Sequence, residues 1–141
     1  MSTSLELLAP VAALVLWCGV IWAWMYSTRI PAIIRARMRL DPTRPRGEQM
    51  AELPASVRWK ADNYNHLMEQ PPLFYAVAML LTLLGDTSTL AVALAWAYVA
   101  LRVLHSLVQV TFNHIPLRFA LFFISSLVLF TLAAKAAAQL F

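Results

Sequence analysis

Long apolar stretches separated by short polar connections dominate the pattern of this chain. The first apolar stretch runs from Leu7 to Tyr26 and is long enough to cross a bilayer as a helix. The whole pattern predicts four helices, at about 5–38, 57–84, 89–112 and 116–139, with a loop at about 39–56. Pro71 and Pro72 lie inside the second predicted helix, and because proline lacks an N–H group we expect a kink there.

The composition is that of a membrane protein. Of the 141 residues, 61% are hydrophobic and 13% are charged, and the mean hydropathy is +0.67. In a typical soluble domain, about a quarter of the residues are charged. We therefore interpret residues 1–141 as one all-α integral membrane domain, a four-helix bundle. A cleaved signal peptide fits poorly, because the leading segment MSTSLE has no positive charge and the first apolar stretch is too long.

The net charge of +4 comes from a basic segment between the first two apolar stretches. Its basic residues are Arg29, Arg35, Arg37, Arg39, Arg44, Arg46, Arg58 and Lys60. A nucleic-acid-binding segment would also be basic, but a basic loop between apolar stretches is typical of the positive-inside rule. We therefore predict a cytoplasmic loop and no nucleic-acid partner. Cys18 is the only cysteine, so an intrachain disulfide cannot form.

Two of the predicted helices carry a stripe of polar residues. In the second helix the stripe is Arg58, Asp62, Asn65, Glu69 and Pro72, and in the third it is Tyr98, Arg102, His105, Gln109 and Asn113. Steps of three and four place each set on one helix face. Because charge facing lipid is costly, the stripes should face each other or the same stripe of a neighbouring subunit. The pattern thus predicts a polar cleft at the cytoplasmic end, suited to a charged ligand and a hydrophobic partner from the lipid.

Simpler interpretations of the same residues exist. Glu69 and Arg102 could form an ion pair that only fixes helix packing, since interhelical polar contacts in membranes often contribute about 1 kcal/mol or less. Asp62, His66 and Glu69 share a helix face, and His105 could join them as a metal ligand. Such helical clusters are common by chance. A hydrogen-bonding role for the histidines is simpler, so we predict no metal.

Two motifs carry a resemblance to a known family. The run Glu69-x-x-Pro72-x-Phe74 resembles the Glu-x-x-Pro-x-Phe run of membrane-associated proteins in eicosanoid and glutathione metabolism, the MAPEG family. Arg102-x-x-His105 is similar to the Arg-x-x-Tyr or Arg-x-x-His of that family's third helix. The resemblance covers nearly the whole chain. It implies a homotrimer with glutathione sites between subunits, and we expect a divergent member from a bacterial inner membrane.

The resemblance also implies roles for the site residues. Arg118 lies near the position where the enzymes carry an arginine that activates the glutathione thiol. A guanidinium stays charged at any working pH and can stabilise a thiolate, so Arg118 is the predicted catalytic residue. The predicted binding residues for glutathione as co-substrate are Asn65, His66, Glu69, Arg102, His105 and Gln109. Among them, Arg102 would bind a carboxylate of glutathione and Glu69 its amino group.

The chain departs from the family pattern at the site. The enzymes place Asn three residues before the Glu, where this chain has His66, and Arg seven residues before it, where it has Asp62. The tyrosine expected seven residues after Arg102 is Gln109, and Arg118 is about two residues from its usual spacing. The scaffold is therefore matched better than the glutathione site. An inward-pointing Asp62 would repel a glutathione carboxylate.

Three functions are compatible with these observations. The first is a glutathione-dependent transferase or peroxidase acting on a hydrophobic electrophile from the bilayer. The second is a non-catalytic lipid-binding scaffold of the same fold, which the departures favour. The third is a small transporter with Glu69, Asp62 and His105 as a proton relay. The polar residues cluster at one end instead of crossing the midplane, so the transporter is the least favoured.

Overall fold

The fold is entirely helical. A computed structural model of the chain describes residues 4–45, 47–86 and 88–141. The described residues form five α-helices, which are α1 (Leu8–Arg35), α2 (Ala55–Leu67), α3 (Pro71–Leu83), α4 (Thr89–Thr111) and α5 (Ile115–Leu140). Short 3-10 turns at Ser4–Leu7 and Gln49–Glu52 complete the regular structure. No β-strand occurs among the described residues, so the predicted all-α class is confirmed.

The second predicted helix, 57–84, is two helices instead of one kinked helix. α2 ends at Leu67 and α3 begins at Pro71. Pro71 and Pro72 have no N–H group, so they cannot donate to the carbonyls four residues earlier and the hydrogen-bond ladder stops. Proline is well suited to the first turn of a helix, where an N–H group would have no partner. The same two residues therefore end α2 and start α3.

The length of the helices matches a membrane protein with four crossings. Among the described residues, three helices are long and apolar enough to cross a membrane, namely Leu5–Arg35, α4 and α5. α3 is apolar but has 13 residues. At 1.5 Å per residue it reaches only about 20 Å, less than the roughly 30 Å of a hydrocarbon core. In a four-helix bundle, α2 and α3 together form the remaining crossing.

The core lies where α1, α3, α4 and α5 meet. Within it the ring of Phe74 stacks on Tyr98, with centroids 4.5 Å apart. Small residues such as Ala78, Ala91 and Ala95 are fully buried beside them and let the helices approach closely. α4 packs most extensively on α5 and also contacts α1 and α2. α4 is therefore the central helix of the bundle.

The loop between α1 and α2 is held by its own contacts. Gln49 is buried, donates from Nε2 to the Asp41 carbonyl at 2.7 Å, and accepts from the Asp41 N–H at 3.1 Å. Arg44 forms exposed ion pairs with acidic residues of the same loop. Such surface pairs add little stability. Arg46, one of the basic residues predicted to mark the cytoplasmic side, lies outside the described residues.

The connection between α3 and α4 is tied to the end of α5. The buried carboxylate of Asp86 forms an ion pair with Lys135 and accepts from Gln139 Nε2 at 2.6 Å. It also accepts from the Ser88 N–H at 2.9 Å. Burial alone would raise the pKa of Asp86, but the hydrogen bonds that the carboxylate accepts outweigh burial and lower it. Asp86 thus joins the connection between α3 and α4 to the end of α5. We call Asp86 with Ser88, Lys135 and Gln139 the clasp.

Candidate functional site

Arg102 lies at the break between α2 and α3 and is fully buried. In a continuous helix the His66 carbonyl would accept from the N–H of Gln70. At the break it accepts from Arg102 Nη2 at 3.2 Å and from the Glu69 N–H at 3.4 Å. The same Nη2 atom lies 3.0 Å from His66 Nδ1. A cation is also favourable at the C-terminal end of a helix because of the helix dipole. Arg102 therefore caps α2 as well as contacting the His66 ring.

The rest of the Arg102 guanidinium has few partners. Its Nε and Nη1 atoms are buried and make no hydrogen bond within the described part of the chain. The guanidinium carbon lies 5.8 Å from the ring centroid of Phe122, in the range of a cation–π contact. The described residues form no salt bridge between Arg102 and Glu69. The purely structural ion pair between those two residues is therefore absent within this chain.

Two histidines meet beside Arg102. The rings of His66 and His105 stack with centroids 4.7 Å apart and planes 13° apart. Both line a pocket of about 300 Å³, together with Ile115, Arg118, Phe119 and Phe122. This volume is near the lower limit for small-molecule sites. We call this space the histidine pocket; α2 and α4 supply its polar wall, and α5 supplies aromatic and aliphatic walls. Among the described residues, no three His, Cys, Asp or Glu side chains are grouped to hold a metal.

Arg118 reaches the histidine pocket from the first turn of α5. That helix is capped by His114, whose Nδ1 accepts from the Leu117 N–H at 3.3 Å. Arg118 Nη1 donates to Asn113 Oδ1 at 2.5 Å. Asn113 has a φ of 51°, a left-handed conformation that asparagine tolerates better than most residues. The turn before α5 therefore holds the guanidinium at the edge of the pocket.

Gln109 lies away from the histidine pocket. It is buried, and its Oε1 accepts from Asn63 Nδ2 at 2.9 Å. The pair joins α4 to the side of α2 that faces it. Both amides are thus engaged within the chain, and Gln109 does not line the pocket.

The polar stripe of α2 is largely exposed. Asp62, Asn65 and Glu69 are exposed, and their side chains form no ion pair or hydrogen bond within the described residues. Arg58 is partly exposed and donates from Nε to the Leu53 carbonyl at 3.0 Å. Asn65 lines a different pocket of about 410 Å³, between α1, α2 and the loop. The expectation that the two stripes face each other is therefore wrong within one chain.

Three residues that the sequence patterns did not select shape this region. Asn63 holds Gln109, and Phe122 packs its ring 5.3 Å from the His66 ring. Gln70 accepts from the Tyr98 hydroxyl at 3.2 Å and donates to Ser126 Oγ at 2.8 Å, so it links three helices. Phe122 could have been found, because it lies one helical turn after the predicted Arg118. Asn63 and Gln70 lie off the polar stripe that drew the prediction.

Comparison with known proteins gives one match. A family model described as the MAPEG family matches residues 7–138, which include every residue of the histidine pocket and all five helices except the last two residues of α5. Searches of curated proteins and of solved structures found no significant match. The predicted resemblance is thereby confirmed at the level of the family.

Proposed function

Because the chain belongs to the MAPEG family, we propose that it is a membrane-embedded, glutathione-dependent transferase or peroxidase acting on a hydrophobic electrophile delivered from the bilayer. The observation that carries the proposal is the histidine pocket. A guanidinium, Arg118, and two imidazoles, His66 and His105, meet there opposite aromatic walls. A charged thiol donor and an apolar acceptor could both be accommodated at such a boundary.

The chemistry assigned to Arg118 is stabilisation of the glutathione thiolate. Only the thiolate attacks efficiently, and a positive charge beside the sulfur favours it. In a transferase reaction the thiol proton passes to solvent and the sulfur forms a bond to the electrophilic carbon. The electron pair of the broken bond leaves with the leaving group. In a peroxidase reaction two thiols are oxidised to one disulfide, while the peroxide is reduced to an alcohol and water.

Arg102 and Glu69 are the proposed contacts for the charged ends of glutathione. The two unpaired N–H groups of Arg102 are buried, and an unsatisfied buried donor costs about 1–3 kcal/mol. A carboxylate of glutathione would satisfy them. Arg102 is fully buried beside His66 and the Phe122 ring, so we infer that the Phe122 ring moves aside to admit the carboxylate. Glu69 lies just after α2, near His66 in the chain, and its free carboxylate would accept from the amino group.

A homotrimer would complete the site. The exposed side chains of Asp62, Asn65 and Glu69 lie at the start of a membrane crossing, where contact with lipid is unfavourable. We propose that this face packs against a neighbouring copy of the chain, so that glutathione lies between subunits. Predicted binding residues that are separated within one chain, Asn65 and His105 for example, could then contact the same ligand.

The deciding test combines binding and turnover. Glutathione binding to the detergent-purified protein is measured by calorimetry, and turnover is measured with a panel of hydrophobic electrophiles and peroxides. We expect millimolar or tighter binding that is lost in Glu69→Gln and Arg102→Ala. Arg118→Ala should reduce kcat by roughly 10²–10³-fold, the effect of removing one charge-stabilising donor. Arg39→Ala is the matched control, because Arg39 is exposed in the basic loop and lines neither pocket. Turnover that survives Arg118→Ala would contradict the catalytic assignment.

A non-catalytic lipid-binding scaffold is the second candidate. It is favoured by the engagement of Arg102 with His66 and of Gln109 with Asn63, which leaves fewer polar groups open to a tripeptide. In that case folded wild-type protein would bind no glutathione. A fluorescent fatty acid would instead bind in the histidine pocket, and Phe122→Ala would weaken its binding.

A further inference from the structure

The contact between Arg102 and His66 determines which nitrogen of His66 carries a proton. A guanidinium has only donors and stays protonated. His66 Nδ1, at 3.0 Å from Arg102 Nη2, must therefore be the acceptor. A neutral imidazole that accepts at Nδ1 carries its proton at Nε2. The geometry thus selects one tautomer of His66.

The same nitrogen of Arg102 also fixes the position of the ring. Nη2 carries two hydrogens, and it donates to the His66 carbonyl at 3.2 Å as well as to the ring. The ring is further enclosed by the stacked His105 and by the edge of Phe122. The backbone carbonyl, Nδ1 and one face of the His66 ring are therefore all in contact with neighbouring groups, so the direction of the Nε2–H bond is set before a ligand binds.

The free edge of His66 belongs to the histidine pocket. His66 lines the pocket. Within the described part of the chain, the hydrogen bond of its ring is the one at Nδ1, and Nε2 has no partner. Arg118 lines the same pocket from α5. A directed neutral donor and a cation therefore share one small space, which is the arrangement that binds a compact anion.

We propose that Arg102 is a positioning residue that holds His66 as an Nε2–H donor to the glutathione thiolate, with Arg118 as the second donor. This inference rests on the proposed function. It assigns His66 the role of an anion-binding donor and excludes it as the base that removes the thiol proton, because its only acceptor nitrogen is already occupied. The proton of the thiol must therefore leave by water.

The first test is the nitrogen spectrum of the histidines. Full-length protein with ¹⁵N-labelled histidine is reconstituted in nanodiscs, and the His66 signals are assigned by their loss in His66→Asn. We expect a protonated Nε2 and an unprotonated Nδ1 in the wild-type protein. Arg102→Gln should mix the tautomers, and Arg102→Lys should retain the wild-type pattern. If Arg102→Gln does not fold, the spectra of the wild-type protein and of Arg102→Lys still show which nitrogen of His66 carries the proton. A proton on Nδ1 in the wild-type protein would overturn the inference.

The second test reads the thiolate directly. The ultraviolet absorbance of bound glutathione is followed against pH in wild-type protein, His66→Asn and His66→Leu. Asparagine keeps an N–H donor and leucine does not. We expect the thiolate fraction at a fixed low pH to fall about tenfold in His66→Leu and to be largely retained in His66→Asn. An unchanged thiolate fraction in folded His66→Leu would show that His66 only packs.

The two tests separate the inference from the function on which it rests. If folded wild-type protein does not bind glutathione, the proposed function and the donor role fail together. If glutathione binds but the spectrum places the proton of His66 on Nδ1, only the inference fails.

Discussion

The polar stripes of α2 and α4 have the same helical spacing and opposite surroundings. Along α4, Tyr98, Arg102 and His105 are buried inside the bundle. Along α2, Asp62 and Glu69 are exposed. α4 is packed against α1, α2 and α5, whereas α2 packs mainly on α1 and α4. A polar stripe is enclosed by its own chain only when the helix is central. On a helix at the edge of the bundle, the same pattern leaves polar side chains exposed, where another subunit can contact them.

This difference assigns different tasks to the two stripes. The buried stripe is held in part by partners that lie off the α2 stripe, such as His66 and Asn63, while Nε and Nη1 of Arg102 and Nδ1 of His105 are buried without a partner among the described residues. In the exposed stripe, Asp62, Asn65 and Glu69 have no such partners within the described residues, so their side chains are free for a ligand or a neighbouring copy.

The largest effect is expected in the buried stripe. Arg102→Ala should reduce the free energy of unfolding by about 2–4 kcal/mol, because it opens a cavity, leaves His66 Nδ1 without a donor and removes one of the two donors to the His66 carbonyl. Arg58→Ala in the exposed stripe should cost only about 0.5–1 kcal/mol, the loss of one hydrogen bond. Denaturant unfolding in detergent micelles measures both variants. Equal destabilisation would remove the distinction between the stripes.

The next effect concerns assembly. Asp62→Lys should weaken association of the chain about tenfold or more, because it changes the charge of a face proposed to meet a neighbouring subunit. Glu6→Lys is the control, since Glu6 is exposed near the other end of the bundle. Native mass spectrometry in detergent reads the oligomer directly. A trimer that survives Asp62→Lys unchanged, or a monomeric wild-type protein, would mean that this face does not lie at a subunit interface.

A smaller effect is expected at the amide pair of the buried stripe. Asn63→Leu and Gln109→Leu should each destabilise the protein by about 1–2 kcal/mol, because each leaves a buried amide without its partner. The double variant should cost less than the sum of the two, with a coupling energy of about 0.5–1.5 kcal/mol. A double-mutant cycle of unfolding free energies measures this coupling. Simple additivity would show that the hydrogen bond contributes nothing.

The smallest effect near neutral pH is expected at the clasp around Asp86, which belongs to neither stripe. The folded-state pKa of Asp86 is below its ordinary value, so its contribution is present at neutral pH and is lost on acidification. Above about pH 4, the free energy of unfolding should fall by less than about 0.5 kcal/mol through Asp86. Below that pH it should fall by up to about 1.4 kcal/mol for each further pH unit. Unfolding of wild-type protein and Asp86→Asn across this range checks the sign. If the free energy of unfolding falls equally with acid in both proteins, groups other than Asp86 cause the loss of stability.

The candidate site was only partly predictable from helical spacing. Spacing and motif together selected His66, His105 and Arg118, which the structure brings into one pocket. Asn65 and Glu69 were selected by the same periodicity, but they are exposed and do not line that pocket. Periodicity reports which residues share a face, and it carries no information on the direction in which that face points.

The positions of the helices, the interruption of the second crossing and the family motifs follow from the amino-acid sequence alone. The apolar stretches specified membrane-crossing helices, the proline pair specified where the second crossing is interrupted, and the Glu69 and Arg102 motifs indicated the family. The face of α2 that meets α4, and the carbonyl to which Arg102 donates, became known from the tertiary structure. The physical reason is that backbone hydrogen bonding and hydrophobic length depend on neighbours in the chain. Burial and side-chain pairing depend instead on contacts between segments far apart in sequence, such as His66 and Arg102.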